Sequence, residues 1–171
     1  MKSEIPLDDP EPRAHTALLT ATPKGAAIGR RIARQQLTAW ELNSLWPEAF
    51  HHALIIVAEL AANASTHGRM PGRGFELRLS LTTARRARTT VLRIEVSDCR
   101  GDRRPVLPSA ACPMDSQSGR GLTLVDALAD RWGTLPRDPS AKTVWAELDL
   151  PMAEFKPASD PSPTPTDDVA A

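Results

Sequence analysis

Cysteine is nearly absent from this chain, neither sign of charge is in excess, and no long apolar run occurs. The two cysteines, Cys99 and Cys112, make no disulfide framework and suit a reducing cytosol. Lys+Arg and Asp+Glu number 21 each, so the formal net charge is zero, which argues against a general binder of nucleic acid or membrane surfaces. No stretch is long and apolar enough to span a bilayer. Met1 to Arg13 is acidic and contains proline, with no apolar core of the signal-peptide kind. The expected location is therefore cytoplasmic. The glycosylation sequon Asn63-Ala64-Ser65 is then accidental.

What is present is the material of one soluble domain. A chain of 171 residues, 41% hydrophobic and 25% charged, has room for a sizeable core. Residues 1–13 read as a flexible leader, 14–152 as the domain, and 153–171 as a Pro-rich disordered tail. Arginines gather at Arg30-Arg31-Ile32-Ala33-Arg34 and Arg85-Arg86-Ala87-Arg88, which suit a solvated surface and a hairpin tip.

Periodicity then sets out the elements. His15 to Thr22 suits a strand. Pro23 to about Glu41 suits a helix with Pro23 in its first turn, and Pro47 to about His67 suits a second, stopped by Gly68. Phe75, Leu77, Leu79 and Leu81, and then Leu92, Ile94 and Val96, alternate with polar residues as two half-buried antiparallel strands do. Asp98 to Ser118 holds Pro105, Pro108 and Pro113 and reads as a long loop of lid length. Gly119-Arg120-Gly121 opens a third helix, about Leu122 to Arg131. A short strand follows from Trp132, and Thr143 to Leu150 closes the domain with Val144, Ala146, Leu148 and Leu150 on one face. This order predicts an α/β fold, a two-layer sandwich in which helices cover one face of a mixed, mostly antiparallel sheet.

Within the most apolar helix, Glu59, Asn63 and His67 stand four residues apart and so share a face. A carboxylate and an amide among Ile, Val, Leu and Ala must be hydrogen-bonded, hydrated or bound to a ligand, because bare burial is costly. Glu can accept a proton from water or a hydroxyl, and an amide oxygen can ligate a hard cation such as Mg²⁺. Three further signals follow in order: Asp98 ending a strand, Gly119-x-Gly121 at a helix start, and Thr143 on the last strand. Each alone has an ordinary structural reading as a hydrogen-bonded pair, a turn residue, a loop feature or a strand former. Their joint order is more specific.

Glu59-Leu60-Ala61-Ala62-Asn63-Ala64-Ser65-Thr66-His67-Gly68, Val96-Ser97-Asp98-Cys99-Arg100-Gly101, Gly119-Arg120-Gly121-Leu122-Thr123-Leu124-Val125-Asp126-Ala127-Leu128 and Lys142-Thr143-Val144-Trp145-Ala146-Glu147-Leu148 occur in that order. Together they resemble the ATP-binding domain shared by histidine kinases, gyrase-type ATPases and mismatch-repair ATPases, and above all the small bacterial anti-sigma-factor serine/threonine kinases. The resemblance covers roughly residues 15–150. It implies a Bergerat-type ATP-binding fold, with ATP and Mg²⁺ as cofactors. It also implies a sigma factor and/or an anti-sigma antagonist protein as partner, no direct contact with nucleic acid or membrane, and compatibility with a homodimer. By the same resemblance Glu59 is the general base and Asn63 the Mg²⁺ ligand. Asp98 accepts from the adenine amino group, supported by Thr143. Gly101, Gly119, Gly121 and Leu122 line the nucleotide, and Arg120 meets phosphate or solvent. His67 caps or packs near the helix end. The second segment departs from the usual Asp-x-Gly-x-Gly, because Gly101 is displaced by one and the second glycine is missing. Cys99 there is a small apolar neighbour or a reactive thiol. No dimerisation helix of the histidine-kinase kind is recognised, and His15, His51, His52 and His67 lie in no phosphoacceptor segment, so autophosphorylation on histidine is not expected.

Overall fold

The computed structural model describes residues 11–68, 70, 72–84, 88–102, 117–137 and 140–151, with side chains within the last helix described from residue 121 onward. The expected Pro-rich loop beyond Asp102, Cys112, the tip residues 85–87 and the tail from 152 lie outside them.

The chain enters as β1 (Arg13–Thr20) and turns at Thr22 into α1 (Pro23–Ala39). Thr22 is extended, and its hydroxyl accepts from the Gly25 N–H at 3.1 Å. That contact satisfies a donor the helix cannot, and Pro23 needs none. Glu41 adopts a left-handed backbone with φ 63° and ends the helix two residues earlier than expected. One turn, α2 (Leu42–Leu45), then precedes α3 (Pro47–Thr66); the sequence reading did not separate it. Hairpin strands β2 (Gly74–Ala84) and β3 (Thr89–Asp98) follow, then α4 (Gln117–Leu128), β4 (Arg131–Arg137) and β5 (Ala141–Pro151).

The sheet order is β1-β2-β3-β5-β4, and every neighbouring pair is antiparallel. The expected α/β sandwich is present, but the sheet is not mixed. The α4 crossover brings β4 back parallel to β3, and β5 lies between them, so the parallel strands never pair.

Period-two alternation sends one face to the helices. Leu77, Leu79, Leu92, Ile94, Val96, Ala146 and Leu150 are almost fully buried there, against Ala33 and Leu37 of α1, Ala53, Ile56, Val57 and Leu60 of α3 and Val125 of α4. Each large aliphatic chain so buried contributes roughly 1.5–3 kcal/mol. The opposite face carries ion pairs. Arg93 bridges Glu95 and Glu147, Arg131 bridges Glu147 and Asp149, and Arg93 lies 4.4 Å over the Trp145 ring. Burial pushes the Glu147 carboxyl up, but hydrogen bonds from Arg93 and Arg131 outweigh it and hold the group below its ordinary value. The Arg131 hydrogen bonds do the same for Asp149, while Asp149 and Glu147 raise Arg131.

Candidate functional site

The polar row of α3 lies in a crease between α3 and α4. Glu59, Asn63 and His67 are half-buried, so the row is neither lost in the core nor fully in water. Neither the Glu59 carboxylate nor the Asn63 amide pairs with another described side chain. At the end of the row the His67 N–H closes the helix on the Asn63 carbonyl at 2.8 Å. Two inward residues of α4, Leu122 and Val125, are buried. Val125 packs into the hydrophobic core, whereas Leu122 is buried without joining that cluster.

Gly121 is where the two helices come closest. A Cβ on Gly121 would overlap the Glu59 oxygen Oε2 and lie 3.4 Å from its Cδ. A larger residue here would displace the Glu59 carboxylate from its place. The helix also starts earlier than expected, at Gln117 rather than about Leu122. The N–H groups without an intrahelical partner are the first four of a helix. Counted from the cap residue before Gln117, as in α3 where the fourth helical N–H, of Phe50, already bonds the Trp46 carbonyl, these end at Gly119, which presents its backbone N–H at the positive end of the helix dipole. Gly121, the fifth residue, does not. Its contribution is close approach to Glu59.

Asp98 ends β3 on the helix-facing side and is 6% exposed. Gly68, one residue past His67, makes room for it: a Cβ there would lie 2.5 Å from Asp98 Cγ. Glu59 and Gly68 thus mark the two ends of the polar row, separated by nine residues of chain, roughly 13 Å at about 1.5 Å per helical residue. Asp98 Oδ1 accepts from the Arg100 N–H at 2.9 Å and from Lys142 Nζ at 2.8 Å. Lys142 Nζ also donates to the Arg100 carbonyl at 2.7 Å. The turn is pinned by the Gly101 N–H on the Ser140 carbonyl at 2.8 Å, and a Cβ on Gly101 would come within 2.9 Å of the Ala141 carbonyl oxygen. Gly101 therefore holds the turn against β5. Hydrogen bonding and charge from Asp102 raise the Arg100 guanidinium.

Thr143 does not support Asp98. The β3–β5 register pairs Asp98 with Lys142 and Ser97 with Thr143. Alternation then puts Thr143 on the other face of the sheet, where its hydroxyl lies 2.8 Å from that of Ser97. Lys142 is the residue that reasoning from sequence missed. Its signal was parity: Lys142 continues the inward series Val144, Ala146, Leu148 and Leu150.

Among the described residues no cluster of three or more His, Cys, Asp or Glu could cage a metal. Mg²⁺ needs no such cage when it arrives with phosphate oxygens and water and takes one or two protein ligands. The free amide of Asn63, beside Glu59 and the open N–H end of α4, fits that kind of ion. A cavity of about 340 Å³ adjoins Asp98, lined in part by Ser97, half-buried Cys99, Arg73 and Arg137. No helix among the described residues is long and apolar enough to cross a membrane.

No curated protein matches the chain. The family described as histidine kinase-like ATPase domain does, over residues 23–148, from the first turn of α1 to Leu148 in β5. The match takes in the α3 row, the Asp98 turn, α4 and Lys142. The chain belongs to the histidine kinase-like ATPase domain family, an ATP-binding type of domain.

Proposed function

We propose that the protein is a regulatory serine/threonine protein kinase of the anti-sigma-factor type, which transfers the γ-phosphoryl group of ATP to a hydroxyl of a partner protein. The observation that carries this reading is the approach of α4, at Gly121, to Glu59, which shares one face of α3 with Asn63. Bound Mg²⁺ and triphosphate supply the electrophile and most of the charge neutralisation. The protein has to position the parts and receive a proton. Asn63 offers its amide oxygen to the metal. The Gly119 N–H meets a phosphate oxygen. Glu59 orients the attacking hydroxyl and takes its proton, an effect worth roughly 10²- to 10⁴-fold. Asp98, beyond the end of the polar row, meets the base. The partners in this reading are a sigma factor and an antagonist protein that carries the acceptor Ser or Thr, in the cytoplasm.

Purified protein, ATP, Mg²⁺ and a cognate antagonist should yield phosphoprotein. Glu59→Ala should slow transfer roughly 10²-fold or more while retaining most nucleotide binding. Transfer at the parent rate by this variant would remove Glu59 from the base role. A second reading is favoured by the engagement of Asp98 with Lys142: a non-catalytic module in which nucleotide tunes a protein-interaction surface. Calorimetry showing ATP binding without turnover in the presence of partners would select it.

A further inference from the structure

We propose that Lys142 is a positioning residue for base recognition: its ammonium holds the Asp98 carboxylate by one oxygen and leaves the other, Oδ2, for the exocyclic amino group of adenine. The inference rests on the nucleotide-binding reading above, and it names the residue that sets selectivity for that amino group.

The arrangement clamps one oxygen of the carboxylate. Asp98 Oδ1 accepts from the Arg100 N–H at 2.9 Å and from Lys142 Nζ at 2.8 Å. One donor comes from the turn after β3 and the other from β5, so the carboxylate cannot swing without breaking at least one of these bonds. Lys142 Nζ also donates to the Arg100 carbonyl at 2.7 Å, which ties the ammonium to the same turn. Gly68 lies against the carboxyl carbon, because a Cβ there would come 2.5 Å from Asp98 Cγ. The Lys142 and Asp98 side chains are 8% and 5% exposed. Both oxygens of a carboxylate are acceptors. Oδ2 has no partner among the described residues, and Asp98 lines the cavity of about 340 Å³. The acceptor left over is therefore the one available to a ligand there.

Stability does not account for such a pair, because a buried ion pair is commonly no better than well-packed apolar side chains of the same volume. Recognition does. An amino group gains from a carboxylate only when the acceptor is already in place, since any freedom it has must be given up on binding. Removing the ammonium leaves Asp98 with the single Arg100 N–H and frees it to turn toward water.

The test is competitive displacement of a fluorescent ATP analogue from the full chain by ATP and by purine riboside triphosphate, which lacks only the exocyclic amino group, each with Mg²⁺. The parent protein should prefer ATP by about tenfold or more, as expected for a hydrogen bond to a charged acceptor. In Lys142→Met the preference should fall to about threefold or less. A purely structural lysine would weaken both ligands alike, so a parent-like ratio in folded Lys142→Met would overturn the inference. Equal binding of the two ligands by the parent would overturn it as well, while leaving the triphosphate site in place. Binding of neither would overturn the nucleotide reading itself. A second measurement needs no variant. The chain has four lysines, so the Lys142 ammonium can be followed by NMR in lysine-labelled parent protein. It should stay protected from exchange with water when ATP binds. Rapid exchange in the ATP complex would show that the base displaces Lys142 from Asp98, and would overturn the inference even if Lys142→Met does not fold.

Discussion

Lys142→Met isolates the energetics of the buried pair at the end of β3. Methionine keeps most of the lysine stem and its packing but removes the ammonium. What remains is a carboxylate in a residue only 6% exposed, packed under Gly68 and hydrogen-bonded by the single N–H of Arg100. Breaking a buried pair by removing one partner costs about 3–5 kcal/mol. The surviving Arg100 N–H offsets about 1 kcal/mol. The expected loss is therefore about 2–4 kcal/mol, a large part of the 5–15 kcal/mol that typically holds a domain together. Asp98→Asn keeps an acceptor for both Lys142 and the Arg100 N–H, and should cost about 1–3 kcal/mol. The double variant should lose less than the sum, with a coupling of roughly 0.5–3 kcal/mol. Urea unfolding of the four proteins, followed by circular dichroism, measures all three differences provided the m-values agree. A loss below about 1 kcal/mol in Lys142→Met at unchanged m, in the range of exposed pairs, would mean that the pair is solvated and the burial argument wrong.

Two other predictions test the contact between Gly121 and Glu59 and the opposite face of the sheet. Gly121→Ala places a methyl group on the Glu59 carboxylate, the mobile end of a flexible side chain, so folding stability should change by about 1 kcal/mol or less. Displacement of the base should nonetheless lower phosphoryl transfer roughly 10²-fold, measured with labelled ATP and partner; full transfer would deny that Glu59 needs this position. The second is acid sensitivity. The folded-state values of Glu147 and Asp149 lie below their ordinary values of 4.5 and 3.8, so unfolding takes up protons. Their contribution is complete above those ordinary values and is lost as pH falls below them through the depressed ones. Glu147→Gln should therefore flatten the loss of melting temperature with falling pH below about 4.5 and have little pH-dependent effect at neutrality. An unchanged acid slope would show that the arginine lattice does not hold Glu147 ionised.

The fold could be read from local chemistry wherever one residue decides one thing. Thr22 and Pro23 start α1 by satisfying or removing donors, and Leu77, Leu79, Ile94 and Val96 choose a face by period two alone. The four-residue spacing of Glu59, Asn63 and His67 put them on one side of a helix before any packing was known. Other features depend on pairs distant in sequence. Asp98 and Lys142 meet only because β5 lies beside β3 in one particular register, and a shift of one residue would have brought in Thr143 instead. That β5 separates β4 from β3, which makes the sheet wholly antiparallel, follows from the path of α4 and not from any strand's own residues. Gly121 looked like a loop glycine, and only the packing of α4 on α3 shows that it clears space for Glu59. Sequence alone determined which side chains face inward, because that follows from the period of a helix or a strand. Tertiary structure decided which of them touch, because register and helix approach are set by the packing of the whole core.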